Sequence, residues 1–267
     1  MLWSNTDSSR KFVDLIKKSS SKWANWTPPN LIEVGDYGRI NKKSGAFQRE
    51  GNIYHEPSLK YITDQFPKQR CEPMDEFIAS SSNVKQCVFG MGADIGVYDI
   101  AETSFKAQWQ FDSSRGALLV MIKPRMTVLP NELLNACIGN ELLERKTVVV
   151  EVFSCPAYAM YLSNKKITTV GLALKVDTSD VAAAQLDTLW RSNITSGMFQ
   201  KAYRREERYT PLFDIREVRK ADKRRDSTGQ DNRKVDRWDD VEVPWGDLDE
   251  DGQEEVDESS DESGSDL

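Results

Sequence analysis

Few residues in this chain have the type and spacing that catalytic or metal chemistry requires. The chain has one histidine, His55, beside Pro57, and four cysteines, none in a CxxC pair: Cys71, Cys87, Cys137 and Cys155. A Cys–His nucleophile needs an activating neighbour, and a zinc site needs clustered ligands. We therefore expect no enzyme activity and no bound metal.

A glycine-rich stretch imitates the turn of a dinucleotide-binding site, with Gly90, Gly92 and Gly96 closely spaced. That site requires a helix directly after the glycines, so that the pyrophosphate lies on the helix N-terminus. Here the sequence continues as a strand instead. We expect no cofactor and no small-molecule substrate.

The strand that follows, Ser104–Phe111, alternates perfectly between apolar and polar residues. Phe105, Ala107, Trp109 and Phe111 share one face, opposite Lys106, Gln108 and Gln110. A period of two predicts an extended segment with one face shielded from water. The pattern alone favours a half-buried sheet, but it does not distinguish a protein core from lipid.

Charge is divided unevenly along the chain. The formal net charge is -7, yet residues 239–267 contain 14 acidic and no basic residues, so the preceding part carries +7. A basic body indicates an anionic partner, either an acidic membrane or a nucleic acid. Lys201 to Arg237 contains 13 basic and 8 acidic residues with interleaved aromatics, which keeps nucleic-acid binding as the alternative.

Near the N-terminus, residues 8–18 predict a basic amphipathic helix. Phe12, Leu15 and Ile16 form its apolar stripe, and basic residues occupy the rest of the surface. Such a helix either docks on the body through its stripe or makes a peripheral membrane contact.

Three hairpins and three further helices are predicted along the body. The first hairpin pairs 31–40 with 46–54, the second pairs 76–89 with 104–111, and the third pairs 147–161 with 167–176. The helices span 130–144, 181–192 and 199–208.

From residue 226 onward we expect a largely disordered acidic tail, because its composition cannot repay the entropy of ordering. Trp238 to Trp245 is the exception, since its apolar residues could anchor it to the body. No signal peptide and no apolar run of membrane-spanning length is evident, so we expect a cytoplasmic protein.

Several short motifs, in order and spacing, resemble a known family. They are Phe12-Val-Asp-Leu-Ile-Lys-Lys18, Lys22-Trp23, Leu31-Ile-Glu-Val-Gly-Asp-Tyr-Gly-Arg39, Gly45-Ala-Phe47, Gly51-Asn-Ile-Tyr54 and Val152-Phe-Ser-Cys-Pro-Ala-Tyr158. Over roughly residues 1–210 the chain is similar to the gasdermin pore-forming domain, and most similar to fungal gasdermins of the regulator-of-cell-death, allorecognition (heterokaryon-incompatibility) type.

The resemblance implies an α+β fold, a twisted and mostly antiparallel sheet flanked by helices, over residues 1–225, with an acidic tail over 226–267. It implies binding to acidic membrane phospholipids, oligomerisation with itself or with a divergent partner of the same family, and insertion of hairpins as a membrane β-barrel. The outcome would be pyroptosis-like programmed cell death, with the protein moving from the cytoplasm to the plasma membrane. It implies no nucleic-acid partner.

By the same resemblance, specific residues acquire roles. The lipid-binding residues would be Arg10, Lys11, Lys17, Lys18, Lys22, Lys42 and Lys43. The inserting regions would be about 77–111 and 147–176, with membrane-facing side chains at Phe105, Ala107, Trp109, Phe111, Val148, Val150, Val152, Val170, Leu172 and Leu174.

The chain departs from the animal members of that family at its C-terminus. Those carry a large folded inhibitory domain, whereas this sequence has a short acidic tail. Whether the tail acts as an intramolecular brake, and whether proteolysis or assembly with a partner is the trigger, stay open.

Overall fold

A computed structural model describes residues 5–88, 105–174, 190–205, 209–219 and 237–255. It is a mixed α+β fold in which antiparallel strands dominate. Its helices are α1 (Asn5–Ser20), α2 (Lys60–Thr63) and α3 (Asn131–Ala136), with 3₁₀ turns at Ile53–His55, Pro57–Leu59 and Glu141–Leu143.

The strands form three antiparallel sheets. They are β1 (Trp23–Ala24), β2 (Asp36–Ile40), β3 (Phe47–Asn52), β4 (Gln69–Arg70), β5 (Glu76–Ser80), β6 (Val84–Cys87), β7 (Phe105–Phe111), β8 (Ala117–Ile122), β9 (Arg125–Val128), β10 (Thr147–Cys155), β11 (Ala157–Leu162), β12 (Thr168–Leu174), β13 (Trp190–Ser192), β14 (Met198–Tyr203), β15 (Tyr209–Arg219) and β16 (Arg237–Asp240). The body sheet has the path β1-β15-β10-β2-β3, with β16, β9 and β4 attached. The middle sheet is β14-β11-β8-β5, and the outer sheet is β13-β12-β7-β6.

The two central strands of the middle sheet, β8 and β11, are buried on both faces, as the wholly apolar sequence of β8 requires. Leu119 and Met121 pack in the main core together with α1 and the body sheet. Leu118 and Val120 point the other way, into a second core shared with the outer sheet. Two dry layers of side chains therefore separate the outer sheet from the body.

The outer sheet confirms the predicted alternation of β7, with one exception. Phe105, Trp109 and Phe111 are buried in the second core, and Lys106 is exposed. Gln108, expected on the wet face, has no exposed surface. The expectation that the whole polar face of β7 meets water is therefore wrong at Gln108, and a charge placed there would be buried.

The first helix and the first hairpin are confirmed. Helix α1 buries Phe12, Val13 and Ile16 completely, since these positions recur on one helical face. Strands β2 and β3 pair around a turn in which the Asn41 side chain accepts the backbone N–H of Lys43. Both strands are shorter than predicted.

The third hairpin is wrong. Its two arms lie in different sheets, because β11 pairs with β8 and β14 while β12 pairs with β7 and β13. In the second hairpin β6 pairs with β7, but the turn at 81–83 places β5 in the middle sheet beside β8. Extended backbone was predicted correctly in these segments, but the arms 76–89 and 147–161 each divide into two strands that lie in different sheets. Long-range pairing decided where each strand ends and which strands are its partners.

Predicted helices were less successful. The helix over 130–144 contracts to α3 followed by a 3₁₀ turn. The basic helix over 199–208 is wrong, because Met198–Tyr203 is strand β14, paired along its length with β11. Of the helix over 181–192, the end at Trp190–Ser192 is strand β13, and 181–189 lies outside the described residues.

The tail differs from its prediction between residues 237 and 255. Strand β16 adds to β15, and Val241, Trp245 and Leu248 are buried in the main core. This confirms the expected apolar anchor, and it extends the ordered body beyond the boundary drawn at residue 225. Residues 226–236 and 256–267 lie outside the described residues.

Candidate functional site

Three charged residues of α1, two cations and one carboxylate, are buried. Arg10 and Lys11 are each 6% exposed, and Asp14 is 1% exposed. Burying charged groups is costly unless partners replace the lost water. The replacement comes from residues 241–255, which we call the acidic segment.

Backbone carbonyls of the acidic segment accept hydrogen bonds from both cations. The Arg10 guanidinium donates through Nε to the Gly252 carbonyl at 3.1 Å, and Lys11 Nζ donates to the Leu248 carbonyl at 2.9 Å. Burial lowers the pKa of Lys11, although Glu250, Asp14 and Asp249 partly oppose that shift. These hydrogen bonds replace water around the two buried cations, and nearby carboxylates balance the positive charge.

Carboxylates of α1 and of the acidic segment also contact Arg10 and two further lysines. Glu254 lies 3.3 Å from the Arg10 guanidinium and 3.1 Å from the Lys42 ammonium at the tip of the first hairpin. Lys18 lies 3.1 Å from Asp14 and 3.7 Å from Asp247. We call Arg10, Lys11, Lys18 and Lys42 the cationic face.

Trp245 pins the acidic segment to α1. Its indole is 5% exposed, donates to the Asp14 carboxylate at 3.1 Å and meets the Trp23 ring edge-on, with centroids 6.1 Å apart. Upstream, the Trp238 indole donates to the Leu134 carbonyl at 2.6 Å. Trp245 within the acidic segment and Trp238 just before it therefore anchor this part of the chain, in addition to the charged contacts.

Close approach of the segment to α1 depends on Gly252. Its φ of +83° favours glycine, and a Cβ there would stand 2.5 Å from the Asp7 carbonyl oxygen. At Gly246, by contrast, the nearest atom to an added Cβ would be a Glu254 carboxylate oxygen at 4.0 Å. A side chain at position 252 would therefore clash with α1, whereas one at position 246 would have room.

The acidic segment also reaches two turns outside α1. Glu250 accepts the backbone N–H of Arg115 at 2.6 Å, and Asp251 pairs with Lys165 at 3.0 Å. Burial lowers the pKa of Arg115 to about 10, with Asp251, Glu250 and Asp249 opposing the shift. The segment therefore bridges the N-terminal helix and the turns at 112–116 and 163–167.

Three of the predicted lipid-binding residues lie elsewhere. Lys17 donates to the Ser21 carbonyl and its ammonium stands 5.2 Å from the centre of the Trp23 ring. Lys22 donates to Glu151 and Asp214; burial alone would lower its pKa, but these two bonds raise it. Lys43 is exposed at the hairpin tip.

The residues predicted to face a membrane are all buried, in two places. Seven line the core between the middle and outer sheets: Phe105, Ala107, Trp109, Phe111, Val170, Leu172 and Leu174. Val148, Val150 and Val152 belong to β10 in the main core. The part of the first inserting region over 89–104 lies outside the described residues, as do residues 175 and 176 of the second.

Sequence reasoning missed the partners of the cationic face. The one relevant sequence signal was the group of apolar residues around Trp245 within an acidic stretch. It suggested that this stretch is anchored to the body, but not where. Arg10 and Lys11 donate to the main-chain carbonyls of Gly252 and Leu248. Every residue has such a carbonyl, so no sequence pattern could have predicted these two partners.

Other chemistry finds little support in the described part of the chain. No group of three metal-ligating side chains occurs there, and His55 is exposed. No helix in the described ranges is both long and apolar enough to cross a membrane. Comparison with protein-family models and with curated proteins finds no match.

Proposed function

We propose that this protein binds acidic phospholipid membranes through its cationic face, oligomerises and permeabilises them with strands of the outer sheet. The observation that supports the proposal is that the acidic segment of the same chain covers the cationic face. Arg10, Lys11, Lys18 and Lys42 form one surface, and residues 245–254 occupy it with carbonyls, carboxylates and one tryptophan.

A cationic surface that an acidic segment of the same chain occupies is suited to exchange that segment for lipid phosphates. Both ligands offer anionic oxygens to the same groups. Juxtamembrane cations near an anionic leaflet contribute about 1 kcal/mol each, so several together give appreciable binding. The acidic segment thus acts as an intramolecular brake in this proposal.

The strands proposed to enter the membrane fit the same scheme. The two central strands of the outer sheet, β7 and β12, each have one apolar face, and that face is buried in the second core until the protein is activated. In the outer sheet, Lys106 and Gln110 alternate with these apolar residues and remain in water. Insertion of these strands as a membrane β-barrel, as in gasdermins, is proposed from the sequence resemblance.

A matched glycine pair tests the proposal. Gly252→Val should push the acidic segment off α1 without changing a charge, and cause leakage of vesicles containing acidic phospholipid but not of zwitterionic vesicles. Gly246→Val should behave like the natural chain. Gly252→Val protein that stays folded, loses the contact and leaks no vesicle of any composition would reject the proposal.

Charge reversal identifies the surface. In the Gly252→Val chain, Lys11, Lys18 and Lys42 changed together to Glu should abolish vesicle binding. Reversal of Lys60 and Lys123, which lie away from the cationic face, supplies the control. If vesicles are ignored and nucleic acid is bound with a steep salt dependence, the alternative of a nucleic-acid-binding protein with an autoinhibitory tail is favoured.

A further inference from the structure

A groove beside the cationic face lies between three stretches of the chain. They are the first turns of α1, the loop 25–32 and the hairpin of β2 and β3. The volume of the groove is about 330 Å³, at the lower end of the ~300 to 1,000 Å³ that small-molecule sites occupy. We call it the loop groove. No residue of the acidic segment lines it, so docking of that segment leaves it uncovered.

Arg49 lines the loop groove with a guanidinium that is held in place. Its Nε lies 3.0 Å from Oδ1 of Asp36, whose side chain is fully buried. The Asp36 carboxylate is itself fixed, because it accepts the Asn52 side-chain N–H and the Glu33 backbone N–H, each at 2.8 Å. Buried groups therefore set the orientation of the guanidinium.

The two terminal nitrogens of Arg49 remain for a ligand. They make no hydrogen bond within the described ranges, and the side chain is 43% exposed. Their parallel N–H groups lie in one plane and match the two oxygens of a carboxylate or phosphate, which is a stronger and more directional pairing than a single bond. This end of the groove therefore suits an anion.

Apolar side chains also line the loop groove. The Trp26 ring packs on Phe12 with centroids 5.1 Å apart, and the Phe47 ring packs on Phe213 with centroids 5.9 Å apart. Both rings are thus supported by the main core. Leu31, which is 52% exposed, lines the groove as well. A single exposed leucine is ordinary, but here it adds to the apolar surface of two aromatic rings.

The loop 25–32 is braced by its own hydrogen bonds. The Asn25 side chain donates to the Asn30 carbonyl at 2.9 Å and accepts the Thr27 N–H at 3.1 Å. The Asn30 N–H donates to the Thr27 carbonyl at 2.9 Å, across two prolines. A wall fixed in this way loses little freedom when a ligand binds. The Asn30 amide and the Thr27 hydroxyl make no hydrogen bond within the described residues, so they remain for polar groups of a ligand.

We propose that the loop groove binds a small organic anion. Its carboxylate or phosphate pairs with the terminal nitrogens of Arg49, and its ring or short hydrocarbon body lies against Trp26, Phe47 and Leu31. This ligand site does not depend on the proposed membrane function. No sequence motif indicates it, because its residues come from three separate stretches.

Two sources offer this chemistry, a soluble metabolite and the headgroup of an acidic phospholipid. Both present anionic oxygens next to an apolar body. Soluble aromatic acids and a short-chain lipid are therefore used as separate probes.

NMR spectra of the full chain test the site. Benzoate and phenyl phosphate should shift the backbone amide signals of residues 25–32 and the Nε–H signal of Arg49, with a Kd of about 1 mM for ligands of roughly ten non-hydrogen atoms. Benzyl alcohol has the ring without the charge and should bind about tenfold more weakly or less. Inorganic phosphate has the charge without the ring and should bind more weakly than phenyl phosphate.

Two substitutions separate the polar contact from the apolar one. Arg49→Lys keeps a positive charge beside Asp36 but loses the planar fork, so it should weaken binding of both aromatic anions about tenfold. Arg39→Lys is its control, because Arg39 belongs to the same hairpin, lies 3.6 Å from Glu50 and does not line the groove. Leu31→Ser changes an exposed side chain, and should weaken binding of benzoate while leaving that of inorganic phosphate unchanged.

The outcomes decide between the groove and other sites. Benzoate binding that Arg49→Lys and Leu31→Ser leave unchanged would overturn the proposal, and so would shifts confined to other regions. Shifts at residues 25–32 with dissolved dioctanoyl phosphatidic acid, but with neither soluble aromatic anion, would overturn a soluble ligand and assign the groove to a lipid headgroup. No vesicle enters these measurements, so failure of this site leaves the proposed membrane function standing.

Discussion

Two internal contacts, one between the acidic segment and α1 and one between the middle and outer sheets, differ in chemical character. Between the acidic segment and α1, the contact is mostly polar, with Arg10 and Lys11 bonded to carbonyls and Glu254 at the rim. Between the middle and outer sheets, the contact is dry and apolar, with Trp109 and Phe111 fully enclosed.

The difference sets the order in which the two contacts can open. Rim ion pairs contribute about 0 to 1 kcal/mol each and weaken with salt, so an anionic membrane can compete for them. Each large apolar side chain exposed to water costs about 1.5 to 3 kcal/mol, so the sheets cannot separate in water. The outer sheet can leave only when lipid receives its apolar face.

The largest expected effect concerns the apolar contact. Trp109→Ala should lower the free energy of unfolding by about 3 to 5 kcal/mol, because the indole is buried between the sheets. Urea denaturation followed by circular dichroism measures it. Gln110→Ala, on the exposed side of the same strand, should change the midpoint little. Equal losses at both positions would show that the sheets are not packed as described.

An intermediate effect concerns the aromatic anchor of the polar contact. Trp245→Ala should weaken docking of the acidic segment by roughly 3 kcal/mol, since it removes a buried indole and its bond to Asp14. Hydrogen exchange should accelerate over residues 245–254 and at the α1 polar face, while the outer sheet keeps its protection. Loss of protection in both regions together would contradict the separation of the two contacts.

The smallest effect is a pH dependence of the polar contact. The hydrogen bond from Lys42 holds the pKa of Glu254 below its ordinary value of 4.5, with Gly246 and Arg10 adding to the shift. A lowered pKa means that docking is favoured above pH 4.5 and lost as the pH falls through the docked value. Docking, followed by hydrogen exchange of residues 245–254, should be constant from pH 8 to 5 and weaken below 4.5. Glu254→Gln should remove that dependence, and a transition near neutral pH would exclude this carboxylate as its source.

Elements that short stretches of sequence determine could be predicted. Helix α1 and the β2–β3 hairpin follow from local signals, an apolar stripe of Phe12 and Ile16 and the turn chemistry of Asn41. The alternation of β7 was equally local. These elements were predicted because their cause lies within a few residues.

Pairing between distant strands was not predictable in that way. Residues 163–167 look like a hairpin turn, yet they carry the chain from the middle sheet to the outer one. The acidic composition of the C-terminal part predicted a largely disordered tail. The acidic segment instead packs against α1, because cations more than 200 residues away in the chain bind it. Gln108 shows the same limit at a single side chain, buried where alternation predicted water.

The central claim is that the acidic segment hides a membrane-binding surface. Sedimentation with acidic phospholipid vesicles tests it most directly, comparing the full chain with a chain that ends at Asp240 and so keeps β16 but lacks the segment. We expect the shortened chain, shown to be folded by its circular dichroism spectrum, to sediment with the vesicles while the full chain stays in solution. Equal sedimentation of the two chains would contradict it.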